Sequence, residues 1–81
     1  MITKDSIETA YCFFHQKERI YLHSTLDWQR DDIEHAIESY VDGMRPELYE
    51  LIARGRKDFL RDHKRFQEDI TQAVTTLENL L

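Results

Sequence analysis

Between Lys57 and Leu81 the apolar residues fall into a rhythm that leaves the chain few choices. Phe59, His63, Phe66, Ile70, Ala73, Leu77 and Leu80 recur at steps of four and three, with Leu60, Val74 and Leu81 alongside. That spacing draws one wide apolar stripe on a long helix. At about 1.5 Å per residue a helix over 57–80 would run roughly 36 Å, the longest element available to the chain. A stripe of that width must be covered, so the remaining segments are expected to pack on it.

Those segments also read as helices. Asp5 or Ser6 can cap a first helix over 6–23, with Ile7, Ala10, Tyr11, Phe14, Tyr21 and Leu22 on one side. Glu18 falls inside that stripe, while Phe13 and Ile20 lie roughly opposite it and form a second, narrower apolar edge. Ser24 with Asp27 three residues later has the form of a capping box. The helix that follows, 26–43, carries Ile33, Ala36, Ile37, Tyr40, Val41 and Met44 inward and Asp31, Asp32, Glu34, Glu38 and Asp42 outward. Trp28 is placed to fold back over the end of the core. Gly43 is expected to stop this helix in a left-handed conformation. Pro46 suits the first turn of a third helix, 46–54, whose buried side is Leu48, Leu51 and Ile52. Gly55 ends it, because glycine inside a helix costs about 1 kcal/mol relative to alanine. The expected fold is all-α: one domain, residues 1–81, built as a compact bundle of four helices with the last one longest.

Composition limits what such a bundle can be. Apolar residues make up 41% of the 81 residues, enough for one modest core. No apolar run approaches the ~20 residues of a membrane span, and the opening residues lack the pattern of a secretory leader. Cys12 is the only cysteine, which excludes an internal disulfide and fits a reducing, cytoplasmic setting. The net charge of −5 conceals an asymmetry: residues 54–65 hold Arg54, Arg56, Lys57, Arg61, Lys64 and Arg65 against Asp58 and Asp62, a local +4.

Arg45-Pro46-Glu47-Leu48-Tyr49, Leu51-Ile52, Gly55 and Phe59-Leu60-x-x-His63 resemble small helical proteins carried on conjugative transposons of gut anaerobes. Ala10-Tyr11-Cys12-Phe13-Phe14-His15-Gln16-Lys17 adds to the likeness, which spans about half the chain. The resemblance implies a mobile-element neighbourhood and assigns no functional residue.

Four candidate chemistries follow from the residues. Asp32-x-x-His35 and Cys12-x-x-His15 have ligand-like spacing but occur once each, too few donors for a metal site. His63 and Glu18 each fall in an apolar row. A buried acid–histidine pair there would transfer protons or sense pH. The favoured reading is that either group reaches the edge of the core and satisfies a hydrogen bond there. No Ser, Thr or Cys forms a motif with a base, and no glycine-rich loop cradles a phosphate, so neither an enzymatic site nor a cofactor is expected. The basic residues 54–65, drawn on a helix, cluster opposite Phe59, Phe66 and Ile70. They suit nucleic acid or an acidic protein, unless Lys64–Glu68 and Arg65–Asp69 pairs neutralise them. The favoured expectation is a non-enzymatic interaction module that self-associates as a homodimer through Phe13 and Ile20, or binds another protein. A nucleic-acid-contacting accessory protein is the alternative.

Overall fold

The computed structural model describes residues 2–81. It contains four α-helices: α1 (Lys4–His23), α2 (Asp27–Asp42), α3 (Pro46–Ala53) and α4 (Phe66–Leu80), the last preceded by a 3₁₀ turn at His63–Arg65. The expected all-α bundle is what forms. α1 is the longest helix at 20 residues; α4 has 15, or 18 with its leading turn.

Side chains at the helix ends explain several boundaries. The Thr3 hydroxyl, rather than Asp5 or Ser6, caps α1 by accepting the Ser6 N–H at 3.1 Å. Ser24 closes that helix instead of opening the next one. Its N–H donates to the Tyr21 carbonyl and its hydroxyl to the Ile20 carbonyl at 2.7 Å. α2 therefore starts at Leu26 without a side-chain cap. Gly43 ends α2 at φ −93°, an ordinary right-handed value, so the left-handed turn expected there is absent. Left-handed positions come eleven and twelve residues later, at Arg54 (φ 53°) and Gly55 (φ 86°), where α3 stops.

The core draws on every element. Ala10, Phe14 and Tyr21 of α1 meet Ile33, Ile37 and Val41 of α2, Leu48, Ile52 and Ala53 of α3, and Phe66, Ile70, Ala73, Val74 and Leu77 of α4. Fully burying one of the larger side chains contributes about 1.5–3 kcal/mol, so these rows dominate the fold. Most helix–helix packing is between α1 and α4; α2 leans on α1, and α3 on α4. Leu51, expected inside, is exposed, as are Leu80 and Leu81.

Residues 57–62 are not helical, and this corrects the expected helix 57–80. Phe59 and Leu60 are adjacent and both fully buried. The chain manages it by placing Leu60 at φ 60°, a left-handed value rare for leucine. Two side chains hold the bend, and a third anchors the end of α3 beside it. The Asp69 carboxylate accepts the Leu60 N–H at 3.0 Å, the Tyr49 hydroxyl donates to the Phe59 carbonyl at 2.8 Å, and Gln72 donates to the Ile52 carbonyl at 2.8 Å. Asp62 then caps the 3₁₀ turn by accepting the Lys64 N–H.

Candidate functional site

The bend decides where the basic residues go. They do not form a stripe. Arg56 folds inward, paired with Asp69 and, at 3.4 Å, with Asp58, its guanidinium over the Phe59 ring. Its hydrogen bond to Asp69 is the main reason its pKa rises further. Arg61 reaches across to Asp42 of α2 at 2.6 Å, and Arg65 pairs with Glu68 at 3.6 Å. The anticipated Lys64–Glu68 and Arg65–Asp69 pairs do not form. Among the described residues only Arg54, Lys57 and Lys64 of the six lack an ion pair, and all three are exposed.

The same bend delivers His63 to α2. Its ring is 75% exposed, yet Nδ1 lies 2.8 and 3.0 Å from the two oxygens of Glu34, a carboxylate in a residue only 7% exposed. A carboxylate can only accept, so Nδ1 carries the proton. Tyr21 of α1 donates its hydroxyl to Glu34 Oε2 at 3.2 Å. One buried carboxylate thus joins α1, α2 and the segment entering α4. The hydrogen bond His63 donates to Glu34, then the Glu34 charge, raises the His63 pKa. Burial, then the nearby Glu34 charge, raises that of Tyr21. An acid–histidine pair therefore exists, but its acid is Glu34; Glu18 is half-buried on α1 and takes no part.

The pair borders an open hollow of about 590 Å³ lined by Tyr21, Asp27, Arg30, Asp31, His63, Lys64 and Gln67. Arg30 stacks over Tyr21 at 5.0 Å. Asp31, Glu34 and His63 bring three oxygen or nitrogen atoms within 4.8 Å of one another. Both Glu34 oxygens already accept hydrogen bonds, and Arg30 and Lys64 face the same space. A dication there would have to displace the shared proton beside two fixed positive charges, so the arrangement is that of a hydrogen-bonded ion pair. Asp32, His35 and Cys12 lie exposed on the surface.

The apolar edge also moved. Phe13 stacks on Tyr40 of α2, ring centroids 4.0 Å apart and nearly parallel, with the Lys17 ammonium over it. It is thus covered within the chain by α2. Ile20 remains 46% exposed, and it has company at the turn joining α1 to α2: Leu22 at 44%, Leu26 at 47% and Trp28 at 60%. Trp28 does not fold over the core. Four of the seven exposed large apolar residues among those described fall within these nine positions.

Part of this was visible in the sequence. Glu34 stands three and seven residues before Ile37 and Val41, and Asp69 three after Phe66 and four before Ala73, so each lies in an apolar row. No comparable signal marks Trp28, whose exposure follows from where the turn ends.

No helix among the described residues is long and apolar enough to cross a membrane. No family model, curated protein or solved structure matches the chain.

Proposed function

We propose that the protein is a small, non-enzymatic helical interaction module that pairs with a second copy of itself through the α1–α2 tip. The mobile-element setting implied by the resemblance would make it an accessory protein there. The observation carrying the reading is the concentration of exposed apolar side chains at Ile20, Leu22, Leu26 and Trp28 around one turn. Exposed apolar groups in one place favour association, and tryptophan is enriched among residues that dominate interface energies.

Charge supports a second copy as the occupant. The α1 side of the turn bears Arg19 and His23 with Glu18, and the α2 side bears Asp27, Asp31 and Asp32 with Arg30, a net negative balance on the α2 side. A two-fold contact sets the α1 side of one protomer against the α2 side of the other, so opposite charges meet around an apolar centre.

Trp28 is the only tryptophan, so its emission reports this surface directly. Sedimentation and emission spectra across a micromolar dilution series are expected to show a dimer and a blue shift together. Trp28→Glu is expected to remain folded and run as a monomer, because a carboxylate in an apolar contact opposes association. A wild-type monomer with concentration-independent emission overturns the reading.

A further inference from the structure

The helix α2 is fastened to the C-terminal half by two charged contacts, and they differ in kind. Arg61–Asp42 joins two exposed groups, a guanidinium and a carboxylate. Glu34–His63 joins a buried carboxylate to an imidazole whose proton can be removed near neutrality. We propose that Glu34–His63 is a proton-operated latch, closed when His63 is protonated, that holds the N-terminal half of α2 against α1 and the segment entering α4. The inference is independent of self-association, since both partners belong to one chain.

The geometry assigns the parts. Glu34 sits in the apolar row of α2, so its charge depends on the partners it finds there. It has two, the Tyr21 hydroxyl and His63 Nδ1. Deprotonating His63 leaves a neutral ring, and the buried carboxylate keeps only uncharged donors, an arrangement much weaker than a charge-assisted pair. The groups facing the latch all bear on it. α2 contributes Asp27, Arg30 and Asp31, α1 contributes Tyr21, the 3₁₀ turn contributes Lys64 with Asp62 before it, and α4 contributes the neutral Gln67. Asp31 and Asp62 favour the imidazolium, while its partial desolvation opposes it.

The direction follows. A histidine pKa raised on folding contributes stability that is complete below about 6.5, its unfolded value, and is lost as pH rises through the folded value. The latch is closed in mild acid and opens toward mild alkali. Trp28 lies one and a half turns before Glu34 on the same helix, so opening frees the part of α2 that carries the tip.

The test compares the full-length wild type with His63→Gln, which retains a side-chain donor but cannot titrate. In wild type, the His63 ring-proton resonances are expected to titrate above 6.5, the ordinary histidine value. Amide exchange along α2, divided by that of His63→Gln at the same pH, is expected to rise severalfold between pH 6 and pH 9. The ratio for α3 amides should stay flat. Glu34→Gln should bring the His63 titration back toward that value. Because His63 is largely exposed, His63→Gln is expected to fold even if Glu34→Gln does not. A His63 titration no higher than that value, or an α2 exchange ratio that ignores pH, overturns the proposal.

Discussion

The helices and the 54–65 connection are held by opposite means. In α1, α2 and α4 an apolar row on one face is buried and the local backbone is regular, so burial is the main force that holds them. The connection has two buried apolar residues, Phe59 and Leu60, on a backbone that hydrogen bonding to helix side chains must hold in an unfavourable conformation. Its order is imported from Asp69, Tyr49 and Glu34, each on an element already built. A protein of this size can thus shape an irregular segment without a second core, by lending it polar groups from its helices.

The largest expected effect tests the helix side of that contrast. Phe66→Ala and Ile37→Ala remove side chains that are fully buried and should cost about 3–5 and 2–5 kcal/mol. For a domain holding about 5 kcal/mol in total, urea denaturation should find both largely unfolded or close to it. Wild-type midpoints would mean that the apolar rows are not what holds the helices.

Next comes the connection. Asp69→Ala takes the acceptor from the Leu60 N–H and the partner from Arg56, for about 2–3 kcal/mol, less than the core variants because Arg56 can turn to solvent. The more telling readout is trypsin, which cuts after Arg54, Arg56, Lys57 and Arg61. Cleavage there should accelerate well beyond what the fall in global stability explains. If digestion only tracks global unfolding, Phe59 and Leu60 hold the bend by burial alone and the contrast fails.

The two glycines give the smallest effects, of opposite sign. At Gly55 a Cβ meets no atom within 4 Å, but φ is 86°, so Gly55→Ala should cost about 1 kcal/mol in backbone strain. Gly43 is right-handed, with its nearest neighbours at 3.9 Å. Gly43→Ala should therefore be neutral or stabilise by about 0.4–1 kcal/mol. Thermal midpoints of the pair, measured side by side, check both signs.

The sequence made the helical rows legible wherever burial and periodicity agree: α2 and α3 begin within a residue or so of where Leu26 and Pro46 suggest. It misled at 57–65 because Phe59, His63 and Phe66 happen to keep helical spacing while the backbone between them does not. Spacing records which residues are apolar; it does not record that Asp69 lies poised to capture the Leu60 N–H. The acid partner of His63 was missed for a related reason. Glu34 was grouped with the acidic outer face by its neighbours Asp31, Asp32 and Glu38, although its distance from Ile37 and Val41 puts it inside. The apolar edge at Phe13 was sound as far as the helix went, but only the position of Tyr40 shows which part stays open.

The dominance of α1–α4 packing bears on how the chain is made. α1 leaves the ribosome first, and its principal partner emerges only after α2, α3 and the connection. Until then Phe14 and Tyr21 have no Phe66 or Ile70 to meet, and the bend at Leu60 has no Asp69. The nascent chain can form helices but not a core, and its apolar faces stay open to chaperones or to neighbouring chains during translation. A transcript stopped before α4 would therefore yield a product that is degraded or aggregated rather than a smaller folded protein.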